Sequence, residues 1–362
     1  MYLQSILVVA LAAPVWSRAC GRPTTTITSS SVAPSATAVD EVADAAVDAV
    51  EAVVSSATAA VEAATTYAAI TTYAVSTQTS QTTTAAATAS ATSSASTPGR
   101  AVWLWESNLI QDDTEVEEFL SFAESNDINT VYTLIDRDMG FTVFQDFIEQ
   151  CTAAGIAVEA LMGNSEWILG EGDPTLEHEL TWLEQYQGNA TTSTSFAGIH
   201  FDVEPWGLDG WTSNEETYTA TLQSIVLQVT SLGSTLGLPV AADLPYWADT
   251  INCTATSGAI QTLDAWMLDQ LDTATFMTYR NTATELLDIA TSVLEAGNSA
   301  GKPVWLAVET VDAADALLIS YFGKTLSVLS SDLVTIHTQA ATYSSFAGIA
   351  IHDYSGVKAL SS

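Results

Sequence analysis

Basic residues are scarce. The chain of 362 residues carries 8 Lys and Arg against 43 Asp and Glu, a formal charge of −35. From residue 100 onward the only cations are Arg100, Arg137, Arg280, Lys302, Lys324 and Lys358. No basic stripe exists to neutralise phosphates, which argues against nucleic acid, anionic membranes and polyanionic substrates. Long apolar runs are missing as well. Ile6–Val15 is too short to cross a bilayer and no stretch of about twenty apolar residues follows, so no membrane span is expected. Several catalytic motifs are absent. There is no G-x-S-x-G turn for a serine nucleophile, no glycine-rich phosphate loop after the first strand-like run, and no H-x-H or H-E-x-x-H spacing. No cofactor and no metal are expected on these grounds.

The first hundred residues lack nearly everything a core needs. Residues 24–99 contain no Trp, Phe, Cys, Lys or Arg and are mostly Ala, Thr, Ser and Val. The short apolar run, followed by Ser17-Arg18-Ala19, reads as a signal peptide over residues 1–19, cut after Ala19. Residues 20–99 read as a low-complexity Ala/Thr/Ser stalk. Within it, Val39, Val42, Ala46, Val50 and Val53 recur at helical spacing among Asp and Glu, which predicts a short acidic helix over 39–64. A leader of this kind implies a secreted protein, extracellular or in the cell wall. The sequons at Asn189 and Asn252 fit glycosylation on that route.

Residues 100–362 hold nine of the ten Trp. Strand-like runs recur there at Val102–Trp105, Thr130–Ile135, Ile156–Met162, Gly198–Glu204, Pro239–Leu244, Thr275–Tyr279, Val304–Glu309 and Gly348–His352. Helical patterns lie between most of them. Strand alternating with helix means parallel strands with crossovers, and eight repeats over this length predict a (β/α)8 TIM barrel. Cys151 and Cys253 then fall at opposite ends of the barrel, which disfavours a bridge between them, and the odd cysteine count with Cys20 leaves one thiol over.

Polar residues collect where these runs end: Glu106, Asp136, Asn164, Glu166, Asp202, Glu204, Asp243, Tyr279, Arg280, Glu309, His352 and Asp353. The C-terminal ends of barrel strands are where active sites form. The fourth run carries the sharpest signal. In FAGIHFDVEPW, Ile199, Phe201 and Val203 fall on one face, and His200, Asp202 and Glu204 on the other. A buried strand avoids titratable side chains unless they are paired, since desolvating a charge costs several kcal/mol. Two carboxylates two residues apart therefore mark a candidate site.

The fourth run resembles the family 18 glycoside hydrolases, the chitinase family, whose signature is D-G-x-D-x-D-x-E. Here it stands as Ala197-Gly198-Ile199-His200-Phe201-Asp202-Val203-Glu204. The Gly and the final D-x-E match, while Ala197 and His200 replace the first two Asp. The family's M-x-Y-D on the sixth strand is Met277-Thr278-Tyr279-Arg280, and His352 stands near the position of its eighth-strand Trp. The resemblance implies that Glu204 is the general acid, that Asp202 raises its pKa and orients an N-acetyl group, and that Tyr279 donates to that group.

A second scheme resembles the retaining glycosidase barrels, with an acid/base Glu ending strand 4 and a nucleophile Glu ending strand 7. Glu204 and Glu309 occupy those ends, and Arg280 would lower the pKa of the nucleophile. Aromatic residues near the mouth suit sugar faces. Trp206 and Trp247 are expected as platforms, and Trp105 as ordinary rim packing. Asp202, Glu204 and Glu309 are thus the expected catalytic residues. Tyr279, Arg280, Asp243, His200, His352, Trp206 and Trp247 are expected to bind a polysaccharide or oligosaccharide, in a monomeric enzyme. Two other readings stand beside this one. One is a carbohydrate-binding or cell-wall barrel without turnover. The other is a metal-dependent hydrolase built on His200, Asp202, Asp243, Glu309, His352 and Asp353.

Overall fold

The structure is a computed structural model and describes residues 99–361 apart from 173 and 313–315. The expected signal peptide, stalk and acidic helix lie outside the described residues. Eight parallel strands close into a barrel in sequence order: β1 (Gly99–Leu104), β2 (Thr130–Leu134), β3 (Ala157–Met162), β4 (Gly198–Phe201), β5 (Val240–Pro245), β6 (Thr273–Met277), β7 (Val304–Glu309) and β8 (Phe346–His352). The ring is closed by β1 on β8, with Val102 opposite Ile351. Outside it lie α1 (Asp113–Ser125), α2 (Phe141–Ala153), α3 (Leu176–Asn189), α4 (Trp211–Leu236), α5 (Leu263–Gln270), α6 (Ala283–Ala300), α7 (Leu326–Ala340) and the short α8 (Tyr354–Lys358). The (β/α)8 architecture expected from the repeats is the one observed.

Alternation along each strand divides the core into two parts. Val102, Leu104, Val131, Ile199, Phe201, Leu306, Ile349 and Ile351 join the large cluster between barrel and helices. Ala101, Trp103, Tyr132, Leu161, Ala307 and Ala350 form a second cluster inside the ring. The end opposite the site is closed by Trp305. A side chain on Gly99 or Gly348 would run into the Trp305 indole, so two glycines on neighbouring strands make its seat. Helix starts are capped by side chains that precede them. Asp112, Thr175, Thr282 and Thr325 each accept from a first-turn backbone N–H, which satisfies a donor the helix leaves open.

Three boundaries differ from the sequence reading. β4 stops at Phe201, because Pro205 opens a 3-10 turn (Pro205–Gly207) that Glu204 precedes with a bent backbone, φ −108 and ψ 80. Between β5 and β6 the chain forms a hairpin, with Asn252–Thr254 against Ile260–Thr262, and then α5. Leu263, Asp264, Trp266, Met267 and Leu268 of α5 are all buried, so that stretch shows no apolar stripe to recognise. Of the helical pattern between β7 and α7, the described residues form a single turn at Ala316–Ile319. Cys151 and Cys253 are both buried free thiols.

Candidate active site

A narrow pocket opens at the C-terminal ends of the strands. Its walls are Trp103, Trp105, Asp202, Glu204, Asp243, Met277, Tyr279, Glu309 and His352, contributed by β1 and by the ends of β4 through β8. Its free volume is about 20 Å³, room for about one water. All three expected catalytic carboxylates share it.

Asp202 and Glu204 reach the pocket because the β4 alternation continues past the last paired residue. The Asp202 amide still donates to the Met162 carbonyl at 2.9 Å, which holds the chain to β3 for one more step. Gly163 makes this close approach feasible, since a Cβ there would collide with the Asp202 backbone carbonyl. Both residues are half-buried, and Asp202 Oδ1 is enclosed with no hydrogen-bond partner among the described residues. Burial pushes the pKa of each above the usual carboxylate range. For Asp202 the charge of Glu204 adds to this, then that of Asp243. Glu204 is also raised by Asp243 and Glu309, against a hydrogen bond from the Trp206 indole to Oε2 at 2.7 Å that favours the ionised form. The two acids titrate as a pair that keeps a proton to higher pH than isolated carboxylates do.

Glu309 ends β7 and is held rigidly. Its Oε1 accepts from the backbone amides of Thr310 and Val311 at 2.7 Å each and lies 3.1 Å from His352 Nδ1. His352 in turn receives the Trp105 indole N–H on Nε2 at 2.8 Å. An indole nitrogen only donates, so Nε2 carries a lone pair and the ring proton sits on Nδ1, facing Glu309. Burial favours this neutral ring. Glu309, with Asp353 and Asp202, favours the cation and lifts the His352 pKa to about 9. Protonating Nε2 would set two N–H groups head to head, so the Trp105 bond and the cation exclude one another.

His200 was expected to bind substrate, but it lies under the pocket and is fully enclosed. Its Nε2 is 3.0 Å from Asp243 Oδ1 and its Nδ1 is 3.3 Å from Glu159 Oε2. The ring stacks on Tyr132 at 3.7 Å between centroids and meets Trp103 edge-on. Burial lowers its pKa. The charge and hydrogen bond of Asp243, with Glu159, overcome that and raise it to about 10. His200 therefore positions Asp243, whose other oxygen accepts from the Trp103 indole at 3.3 Å.

Other expected site residues are placed differently. The Arg280 guanidinium lies over the Tyr246 ring, 5.1 Å from its centroid, and donates to the Tyr279 carbonyl and the Tyr246 hydroxyl. It is not among the pocket walls. Trp206 is buried, edge-on to Trp211 and to the half-buried Trp247. Its role in the pocket is the hydrogen bond to Glu204. Asp353 caps α8 by accepting from the Gly356 amide, and Asn164 accepts from the Glu166 amide. Trp103, Met277 and the support from Glu159 were not anticipated. Glu159 sits inside an apolar run on an inward position, and that break in the run was the signal available. Among the described residues no group of three or more His, Cys, Asp or Glu is placed to hold a metal ion. Likewise, no described helix is long and apolar enough to cross a membrane.

No family model matches the chain and no curated protein matches it. Solved structures do. A GH113 beta-1,4-mannanase is 12% identical, with a TM-score of 0.45 over 71% of this chain and 88% of that one. A chitinase from Chromobacterium violaceum is 9% identical, with a TM-score of 0.43 over 72% and 95%. A plant class V chitinase mutant from Cycas revoluta, solved in complex with (GlcNAc)3, is 11% identical, with a TM-score of 0.43 over 72% and 96%. The eight-stranded parallel barrel of this chain is established by its own strand order.

Proposed function

We propose that the protein is a secreted glycoside hydrolase that cleaves a polysaccharide or oligosaccharide by carboxylate acid catalysis. The observation that carries this reading is the shared pocket, into which β4 delivers Asp202 and Glu204 while β7 delivers Glu309. Cleavage needs a proton on the leaving oxygen, and an enclosed carboxyl pair with raised pKa values retains one to higher pH than isolated carboxylates do. Glu204 is the donor. It stands furthest along the chain toward the mouth, and the Trp206 indole fixes one of its oxygens while leaving the other for the substrate.

Asp202 is the acceptor beside it. When the proton of the pair sits on Glu204, the Asp202 carboxylate supplies the negative charge that an oxocarbenium-like transition state attracts. Glu309 lines the same pocket and holds His352, and Tyr279 completes the polar wall. Asp202, Glu204, Asp243 and Glu309 together line the pocket, which suits a reaction that develops positive charge on the sugar. Exposed sequons at Asn189 and Asn252 support the secretory route.

The test is release of reducing ends from a panel of polysaccharides by the wild type and by Glu204→Gln. The expected result is turnover of at least one glycan by the wild type, reduced about 10²- to 10⁴-fold in the variant. Equal activity of the two proteins would remove Glu204 from the mechanism. Glycan binding without product would favour the carbohydrate-binding reading instead.

A further inference from the structure

A second, wider cleft shares the Trp105 wall of the catalytic pocket. It has a volume of about 590 Å³ and is lined by Trp105 and Asn108 from the β1 end, Asp136, Arg137 and Asp138 from the β2 end, and Glu179 from the first turn of α3. Glu179 is 3% exposed. One of its oxygens lies 3.4 Å from Arg137 Nε, and the other, Oε2, is enclosed with no hydrogen-bond partner among the described residues. Among the described residues the cleft holds three carboxylates and one guanidinium, and Arg137 is already paired.

We propose that this cleft is a sugar subsite for a residue bearing a free, protonated amine, with Glu179 as the group that receives the ammonium, so that the substrate is a chain containing de-N-acetylated amino sugars. The inference rests on the glycoside hydrolase reading and names the substrate class for that same site. Three features favour a cationic sugar over a neutral one. A buried carboxylate oxygen without a donor is costly, and an ammonium offers three donors together with compensating charge. An N-acetyl group would bring a carbonyl oxygen toward Asp136 and Glu179, acceptor against acceptor, and has only one N–H to give. The whole chain, at −35, attracts polycations and repels polyanions over long range. Trp105 places the cleft next to the reacting bond, because its ring lines both hollows.

The experiment measures binding by isothermal titration to the full chain carrying Glu204→Gln, so that turnover does not consume the ligand. The probes are fully deacetylated and fully N-acetylated oligomers of glucosamine and of galactosamine, at a pH where the amines are protonated. In one of the two series the deacetylated oligomer should bind about tenfold more tightly, the scale of one charge-assisted hydrogen bond. Adding Glu179→Gln should erase that preference. Asp138→Asn, at an exposed position, should reduce it. Equal affinity for the two forms, preference for the N-acetylated form, or no binding in either series overturns the proposal. The glycosidase reading is then judged separately, by wild-type turnover on the polysaccharide panel.

Discussion

Trp206 donates its indole hydrogen to Oε2 of Glu204 at 2.7 Å, across only two residues of chain. The bond stabilises the ionised carboxyl and opposes the burial that keeps it protonated. Trp206→Phe removes the donor and retains the ring. Glu204 should then hold its proton to higher pH, so the alkaline limb of the pH–rate profile should move upward. Without its anchor, Glu204 should also lose kcat. An alkaline limb that stays in place would show that this carboxyl is not the titrating acid.

His200 is predicted to be the costliest single substitution in the barrel interior. His200→Leu leaves Asp243 enclosed and Glu159 partly enclosed without their shared partner. Breaking a buried pair from one side typically costs about 3–5 kcal/mol, and urea unfolding should show a loss of that order. The sign with pH follows from the raised pKa. The folded state binds the proton more tightly, so this contribution is fully present below the unfolded value and is lost as pH rises through about 10. The wild type should therefore lose stability relative to His200→Leu at alkaline pH.

The Trp105 indole selects the neutral tautomer of His352. Trp105→Phe frees Nε2 to take a proton, while Glu309 still favours the cation. An NMR titration should show the His352 pKa higher in the variant than in the wild type. An unchanged value would mean that the indole has no hold on the ring.

Glu179 is the site of a stability–function conflict. Burial raises its pKa from 4.5 to about 7, against Arg137 and with Asp136. Between those values the native state binds more protons than the unfolded chain, so stability falls as pH rises through that window. Glu179→Gln should be more stable than the wild type at pH 8, by on the order of 2 kcal/mol. The difference should vanish near pH 4. Melting curves at the two pH values check this.

The barrel was legible because its signal is local and repeated. Each strand-like run shows its own alternation or apolar block, and at β4 the phase alone separated Ile199 and Phe201 from His200 and Asp202. The shared pocket was legible for a related reason, since topology forces all eight strand ends to one side. Pairings between distant positions were not legible. Trp105 reads as rim packing from its neighbours, and its bond to His352 spans 247 positions. Arg280 reads as a pocket charge, yet Tyr246, on a loop 34 residues earlier, captures it. His200 lies on the same face as Asp202 and Glu204, but one layer deeper, and only the assembled ring shows that it is sealed beneath them.

The central claim is that Glu204 gives the leaving oxygen its proton, and leaving-group dependence tests it most directly. A dinitrophenyl glycoside departs without protonation, whereas a sugar hydroxyl does not. Glu204→Gln should lower kcat about 10²- to 10⁴-fold on the natural linkage, yet stay within about tenfold of the wild type on the activated glycoside. Equal losses on both substrates, or no loss on either, would contradict the assignment.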